Sequence, residues 1–93
     1  MKFEWDQEKN LINQKKHKIS FETAAYVFQD KNYIEMYDFE HSTEEDRYIA
    51  IGCVGEVLFV VFTERKENIR LISARLATES ERRLYYDQNI YYK

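Results

Sequence analysis

The stretch Glu56–Glu64 reads EVLFVVFTE and is apolar at almost every position. Successive side chains of a strand point to opposite faces of a sheet, so an apolar run without alternation predicts a strand that is buried on both faces. A strand of this kind lies inside a sheet rather than at its edge. We therefore expect Glu56–Glu64 to be the central strand of a sheet.

The stretch that follows, Asn68–Asp87, changes its period from that of a strand to that of a helix. Ile69–Ala77 alternates at period 2 and predicts a strand with two distinct faces. One face carries Ile69, Leu71, Ser73 and Arg75, and the other carries Arg70, Ile72, Ala74 and Leu76. Thr78 and Glu81 have the spacing of a capping box, in which each side chain satisfies a backbone N–H, so we expect a helix to start at Thr78.

The N-terminal part of the chain predicts a short strand and then a helix. Lys2–Trp5 alternates and is interpreted as the first strand. Asp6 is a favourable N-cap, and Gln7–His17 follows as a helix with Leu11 and Ile12 as its apolar anchors. The rest of this helix is polar, so its stability must come from docking rather than from a wide apolar face.

A second helix is expected after the N-cap Ser20. Its apolar stripe has the spacing i, i+3, i+4 and i+7, with Val27 beside it, and consists of Phe21, Ala24, Ala25 and Phe28. A strand is expected at Tyr33–Phe39, and it is followed by an acidic loop, Glu40–Asp46, that we expect to be mobile. The next strand is expected at Arg47–Cys53, with a tight glycine turn at Gly52–Gly55. Residues 89–93 are expected to form a tail, docked through Tyr91 and Tyr92.

These elements follow the order β-α-α-β-β-β-β-α. A chain of 93 residues, of which 44% are hydrophobic, is sufficient for one domain, which we place at residues 1–93. The fold class is α+β. We expect an antiparallel sheet with two N-terminal helices and a C-terminal helix, and with the helices grouped to one side.

Charge is distributed unevenly along the chain. The net charge is −3, and it divides into +2 for residues 1–21, −7 for residues 22–46 and +2 for residues 47–93. The overall sign argues against simple coating of nucleic acid. An acidic middle between two basic ends is suited to two partners of opposite charge.

Neither export nor membrane insertion is predicted. The longest apolar run, Val57–Phe62, is far shorter than the roughly 20 residues of a membrane-spanning helix. The N-terminus lacks the apolar region of a signal peptide. Cys53 is the only cysteine, which excludes an intramolecular disulfide and fits a reducing compartment. We expect a cytoplasmic protein that does not interact with a membrane.

Metal and cofactor sites have little support in the sequence. His17, His41 and Cys53 are scattered without the spacing of metal ligands. The chain has no glycine-rich phosphate loop and no Ser–His–Asp signature. We expect no metal and no cofactor, and we interpret His41, which lies among acidic residues, as a loop contact or a cap.

Arginine is concentrated in the C-terminal third of the chain, at Arg65, Arg70, Arg75, Arg82 and Arg83. Arginine captures phosphate through planar, bidentate hydrogen bonds, so this concentration indicates a phosphate site. An alternative interpretation stays open, in which Arg75 only forms an ion pair with Glu64, Glu79 or Glu81.

Metal-free cleavage of RNA is one reaction that these groups can perform. It needs a base for the ribose 2′-OH, cations for the charge that grows on the phosphate, and an acid for the leaving 5′-oxygen. His17, Glu64, the arginines and a tyrosine suit these roles, although Glu64 can also be a simple edge residue. Composition alone does not separate cleavage from plain phosphate binding.

The sequence as a whole resembles a known family, the BrnT toxins of type II toxin–antitoxin modules. The matching stretches are Phe3–Asp6, Lys9 with Asn13, Lys16–His17, Ser20–Glu22, Ala24–Ala25, Val27–Phe28, Asp38 with His41, Glu45 with Arg47, Gly52, Thr63–Arg65, Ile69–Arg75 with Ala77, and Glu81–Arg82 with Tyr85. The resemblance covers nearly the whole chain, and Ile72–Arg75 together with Glu81–Arg82 is its most specific part.

The resemblance implies a RelE-like fold and a small bacterial or archaeal endoribonuclease that arrests translation. It also implies a BrnA-type antitoxin with a ribbon-helix-helix DNA-binding domain. The two proteins would assemble as a heterotetramer that represses its own promoter, with operator DNA contacted only through the antitoxin.

The first hypothesis is therefore an enzyme, a metal-independent endoribonuclease inhibited by its partner. Arg65, Arg75 and Arg82 would hold and stabilise the phosphate, and His17 or Glu64 would move the proton. Further contacts to RNA would come from Lys16, Arg70 and Arg83. One departure is clear, because the family usually has glycine after Lys-His, where this chain has Lys18. Glycine there gives a left-handed helix end, so Lys18 implies another cap geometry or some strain.

A second hypothesis belongs to a different class of protein. In this interpretation the chain is a non-catalytic interaction module, or an inactive toxin homologue. The acidic segment 22–46 and an apolar or aromatic surface bind a basic partner, and the arginines only form ion pairs.

Overall fold

The secondary-structure elements occur in the predicted order. A computed structural model of the chain describes residues 2–91, with side chains for residues 2–88. The elements are β1 (Lys2–Glu4), α1 (Gln7–His17), α2 (Phe21–Ala24) with a 3₁₀ helix (Ala25–Gln29), β2 (Ile34–Tyr37), β3 (Tyr48–Val54), β4 (Glu56–Arg65), β5 (Asn68–Leu76) and α3 (Glu79–Tyr91). The α+β class is confirmed. The expected tail is partly wrong, because α3 continues through Tyr91, and the expected docking of Tyr91 and Tyr92 lies outside the described side chains.

The five strands form one sheet in the order β1-β5-β4-β3-β2, so β4 is central, as its apolar sequence predicted. The expectation of a purely antiparallel sheet is wrong, because β1 runs parallel to β5 with Phe3 opposite Ile69. All other neighbours are antiparallel. The connection from β1 to β5 contains α1, α2 and strands β2 to β4, and a long connection of this kind permits parallel pairing.

A β-bulge interrupts the pairing of β4 with β5. Phe62 lies opposite Leu71, but Val61 lies opposite Ser73, so Ile72 is the additional residue on β5. A bulge of one residue reverses the face to which every later side chain of the strand points. The strict alternation that the sequence predicted for this strand therefore fails after Leu71.

The bulge changes the position of Arg75. Ala74 joins Ile69 and Leu71 in one buried cluster. Arg75 lies opposite Phe59 and points to the other face of the sheet, where its guanidinium covers the Phe59 ring. The expectation that Arg75 shares a face with Ile69 and Leu71 is wrong.

Helices lie on both faces of the sheet. The larger core packs α2 and the 3₁₀ helix against one face and includes Phe21, Ala24, Val27, Ala50, Leu58, Val60 and Phe62. On the opposite face, Tyr85 of α3 packs against Ile51 and Val57. The expectation that all helices group to one side is therefore wrong, because the faces of β4 are both apolar and each needs a cover.

Helix α1 has the predicted bounds but not the predicted contacts. Leu11 and Ile12 are 54% and 56% exposed, so they are not its anchors. The buried side chains are Asn10 and Asn13. Asn10 accepts a hydrogen bond from the Phe21 backbone N–H at 2.8 Å, so the helix docks through amide hydrogen bonds rather than through apolar packing.

The two ends of α1 follow the expected capping chemistry. Asp6 accepts hydrogen bonds from the backbone N–H groups of Glu8 and Lys9, which confirms it as the N-cap. Lys18 closes the helix in the left-handed conformation, at φ 63°. The chain thus keeps the cap geometry that glycine would give, and a lysine carries the strain.

Helix α2 tightens into a 3₁₀ helix after one turn, so its buried residues recur every third position. Ser20 accepts a hydrogen bond from the Thr23 backbone N–H at 3.1 Å, which confirms the predicted cap. Val27 becomes fully buried rather than flanking the stripe. Gly52 lies within β3, where a Cβ would come within 2.7 Å of a methyl of Val27, so the close packing of Val27 requires glycine there. Only Gly55, at φ 73°, forms the turn.

The acidic loop that precedes β3 is cross-linked by hydrogen bonds, although its sequence predicted mobility. Buried Asp38 contacts the His41 ring nitrogen Nδ1 at 3.0 Å, which confirms His41 as a loop contact. Ser42 donates to the Asp38 carbonyl at 2.6 Å and accepts from the Arg47 backbone N–H at 2.8 Å.

None of the helices that the structure describes is long and apolar enough to cross a membrane.

Candidate functional site

The junction of β5 and α3 fixes the positions of the central arginines. The Ala77 backbone N–H donates to the Val57 carbonyl at 3.0 Å and holds the connection against β4. The Thr78 backbone N–H donates to the Glu81 carboxylate at 2.8 Å, and the Glu81 N–H donates to the Thr78 hydroxyl at 3.3 Å. The predicted capping box is therefore confirmed.

Arg75 is held by a carboxylate and an aromatic ring at this junction. Its Nη1 and Nη2 donate to the two carboxylate oxygens of Glu81 at 2.8 and 3.0 Å. Its guanidinium carbon lies 3.9 Å from the centroid of the Phe59 ring, in a cation–π contact. The hydrogen bonds from Arg75 lower the pKa of the Glu81 carboxyl against the opposing effect of burial. Of the three ion-pair partners left open for Arg75, the structure selects Glu81.

Arg82 is the arginine of the junction whose guanidinium is available to a ligand. Its side chain is exposed and forms no ion pair with any side chain that the structure describes. It lines a cleft between the β3–β4 turn and α3, together with Gly55, Glu56, Val57, Leu76, Ala77 and Tyr86. A free guanidinium at a cleft has the chemistry to hold an oxyanion.

Arg83 lies next to Arg82 but is already paired. Its Nη2 donates to Glu79 at 2.8 Å, one helical turn earlier, and both side chains are largely exposed. An exposed pair of this spacing stabilises a helix weakly. Arg83 also lines a second groove with Arg82 and Tyr86, so it remains within reach of a ligand that binds there.

The structure does not bring Glu64 and Arg65 together with Arg75. Phe59, the partner of Arg75 on β4, precedes Glu64 by five residues, which spans about 17 Å of strand. Arg65 pairs with Glu45 at 3.3 Å. The arginines therefore divide between the two ends of the β4–β5 hairpin, and one phosphate cannot be held by both groups.

Arg70 belongs to the end of the hairpin that carries Arg65. Its Nη1 donates to Glu4 at 2.8 Å, so it joins the edge strand β1 to β5. The Asn68 amide donates to the same carboxylate at 3.1 Å. The hydrogen bonds from Asn68 and then Arg70 lower the pKa of Glu4. These contacts give Arg70 a structural role at the sheet edge.

Lys16 and His17 occupy the last turn of α1. Lys16 is exposed and His17 is half-buried. Neither side chain forms a hydrogen bond or ion pair with the described arginines. Among residues 2–88, no three His, Cys, Asp or Glu side chains cluster closely enough to hold a metal ion.

Three residues of the junction were not predicted as site residues from the sequence. Glu56 and Tyr86 line the cleft with Arg82, and Phe59 lies beneath Arg75. The spacing of Arg82 and Tyr86, at i and i+4 on one helix, was a usable signal that they share a face. Glu56 and Phe59 had no such signal, because their place at the junction depends on the register of β4 against β5, which the bulge at Ile72 shifts.

Comparison with known proteins agrees with the residues that suggested a family. The family model described as "Ribonuclease toxin, BrnT, of type II toxin-antitoxin system" matches residues 5–81. No curated protein matches the sequence. The matched range includes β4, β5, Arg75 and the capping box with Glu81, which together form most of the junction. The chain belongs to the BrnT family of ribonuclease toxins of type II toxin–antitoxin systems.

Proposed function

We propose that the chain is a metal-independent endoribonuclease that cleaves RNA through the ribose 2′-OH and so inhibits translation. The observation that carries the proposal is the junction of β5 and α3. There Arg82, which has no ion-pair partner among the described side chains, lines a cleft, and Arg75 is fixed nearby by Glu81 and Phe59. This arrangement supplies positive charge where a cleaved phosphate develops negative charge.

The reaction would proceed without a cofactor. A base removes the 2′-OH proton, the 2′-oxygen forms a bond to phosphorus, and the bond from phosphorus to the 5′-oxygen breaks. The leaving oxygen takes a proton from an acid. The products are a 2′,3′-cyclic phosphate and a 5′-OH end. Arg82 and Arg75 would stabilise the non-bridging oxygens as their charge grows.

The geometry changes which groups are proposed to move protons. Glu64 lies seven residues beyond Val57 on β4, about 24 Å from the cleft. Glu56 and Tyr86 line the cleft beside Arg82 and replace Glu64 in the proposal. His17 remains a candidate base on α1, and Lys16 a candidate RNA contact.

The partner is proposed to be a BrnA-type antitoxin with a ribbon-helix-helix domain, assembled with the toxin as a heterotetramer that represses its promoter. Membership of a type II toxin–antitoxin family supports an antitoxin partner. The charge of −7 over residues 22–46 favours a basic protein surface as the complement.

Cleavage of RNA by the purified toxin, with mapping of the new 5′ ends, tests the proposal. We expect defined 5′-OH ends, unchanged by EDTA and suppressed by the protein of a neighbouring ribbon-helix-helix reading frame. Loss of cleavage in EDTA would contradict the metal-free mechanism. Intact RNA in every condition, including ribosome-bound message, would contradict the nuclease proposal.

A non-catalytic interaction module is the second candidate. The observation that favours it is the pairing of four of the five arginines in the C-terminal third with acids of the same chain: Arg65 with Glu45, Arg70 with Glu4, Arg75 with Glu81 and Arg83 with Glu79. Tight antitoxin binding by a toxin that leaves RNA uncut would support this candidate over the first.

A further inference from the structure

The hydrogen-bond donors of Arg75 are only partly used inside the protein. A guanidinium has five N–H donors. Three of them are occupied, by the two oxygens of Glu81 and by the Leu76 carbonyl, which accepts from Nη1 at 3.2 Å. The Nε–H and one N–H of Nη2 have no acceptor among the described residues. The Arg75 side chain as a whole is 35% exposed.

The two free donors form one edge of the guanidinium. Glu81 occupies the edge made by Nη1 and Nη2. The remaining edge, made by Nε and Nη2, presents two parallel N–H groups in the geometry that two oxygens of one phosphate accept. We infer that Glu81 is a positioning residue, which holds Arg75 so that its Nε/Nη2 edge receives the phosphodiester of the RNA. This inference rests on the proposed ribonuclease function and names the donors that would act in it.

The position of Glu81 is itself fixed by the fold. Its carboxylate also accepts the Thr78 backbone N–H, so it is part of the first turn of α3. The Phe59 ring covers one face of the guanidinium and limits its rotation. Strand, helix and aromatic ring together determine where the free edge points.

Glu81 also divides the electrostatic tasks between the two arginines. The charge of Arg75 is balanced by Glu81, so Arg75 would contribute directed hydrogen bonds and little net attraction. Arg82 has no such partner among residues 2–88 and would contribute the attraction. Removal of the Glu81 charge should therefore strengthen the electrostatic binding of RNA while it loosens the geometry needed for cleavage. A residue that only stabilises the fold would not separate binding from rate in this way.

The substitution Glu81→Gln separates these effects. Glutamine keeps an oxygen for the Thr78 N–H but loses the charge and one of the two acceptors for Arg75. We expect single-turnover cleavage at saturating toxin to fall about 10- to 100-fold, with RNA affinity unchanged or tighter. Thr78→Ala is the matched control, because it removes the other half of the capping box without touching Arg75. Its cleavage rate should stay within about threefold of wild type. Equal rates in the two variants, or an unchanged rate in Glu81→Gln, would overturn the inference.

A second measurement is independent of cleavage. The Arg75 Nε–H resonance, assigned by its loss in Arg75→Lys, is followed during titration with a 2′-O-methylated RNA oligonucleotide, which has no 2′-OH to react. We expect this resonance to shift in the wild type and to shift less in Glu81→Gln. A shift at Arg82 without one at Arg75 would overturn the inference and leave the phosphate site standing. If the wild type cuts no RNA at all, the proposed function fails, and this titration still decides whether the Arg75 edge binds phosphate.

Discussion

The side-chain amide of Asn13 hydrogen-bonds both backbone groups of Ala74, accepting from its N–H at 3.2 Å and donating to its carbonyl at 2.9 Å. The same amide nitrogen also donates to the Ile19 carbonyl at 2.8 Å. Strand β1 pairs with β5 only as far as Arg70, so Asn13 takes the place of a neighbouring strand beyond that point. Helix α1 is thereby joined to the sheet edge by hydrogen bonds.

Asn13→Ala should destabilise the protein strongly. The substitution leaves the buried N–H and C=O of Ala74 without partners, which costs about 2 to 4 kcal/mol in the free energy of unfolding. Urea denaturation measures the change. Leu11→Ala is the control, because Leu11 is exposed and its loss should cost no more than about 0.5 kcal/mol. A larger loss for Leu11→Ala than for Asn13→Ala would contradict the docking described.

The sequence predicts most of the fold where the signal is local. The caps Asp6 and Ser20, the capping box at Thr78 and the central strand β4 all depend on residues close together in the chain, and all are confirmed. The direction of β1 and the docking of α1 through asparagine depend on contacts with β5, more than 50 residues away. The periodicity of hydrophobic residues is a local pattern and does not predict such contacts.

The features of the site also differ in whether a local sequence signal predicts them. The pairing of Arg75 with Glu81 joins residues six positions apart, and the sequence offered it as one of three alternatives. The bulge at Ile72 has no local signal, yet it decides that Arg75 meets Phe59 rather than the main core. The cleft of Arg82 needs the β3–β4 turn beside α3, which only the assembled sheet provides.

Lys18→Gly should stabilise the protein. Lys18 has a φ of 63°, a conformation that costs a residue with a Cβ about 1 kcal/mol and costs glycine almost nothing. Thermal or urea denaturation should show a gain of about that size. Lys15→Gly, three residues earlier within α1, should instead lose about 0.5 to 1 kcal/mol. A loss of stability in Lys18→Gly, as in Lys15→Gly, would show that the cap of α1 is not strained.

Tyr85→Phe should destabilise the protein and alter its response to alkaline pH. The Tyr85 hydroxyl donates to Asp30 at 2.5 Å, and loss of this bond should cost about 2 kcal/mol. Burial, followed by the hydrogen bond to Asp30, raises the pKa of Tyr85 above its usual range. Because the folded pKa is raised, the contribution is present below about pH 10 and is lost as the pH rises further.

The measurement is the free energy of unfolding of wild type and Tyr85→Phe from pH 7 to 11. The two curves should converge above about pH 10, since only the wild type carries the titrating hydroxyl. Tyr86→Phe is the control, because the Tyr86 side chain is exposed and its stability should change little. A constant difference between wild type and Tyr85→Phe across this range would rule out the linkage.

Arg75→Ala and Arg82→Ala should abolish growth arrest while leaving a folded protein. Arg82 is exposed and has no partner in the described chain, so its loss removes charge from the cleft without breaking a contact that holds the fold. We expect cleavage to fall about 100-fold for Arg82→Ala, the cost of removing one donor to a developing oxyanion. Colony formation after induction and circular dichroism of the purified variants are the two readouts.

Arg83→Ala is the matched comparison for this prediction. Arg83 is adjacent in sequence, but it pairs with Glu79 at the exposed surface, so its loss should reduce cleavage by less than about tenfold. The order of effects matters more than any single value, because all three substitutions remove one positive charge. Arrest undiminished in both Arg75→Ala and Arg82→Ala would remove the phosphate role from the junction. An equal loss in Arg82→Ala and Arg83→Ala would instead indicate a diffuse basic surface, in which no single guanidinium is aimed at the scissile phosphate.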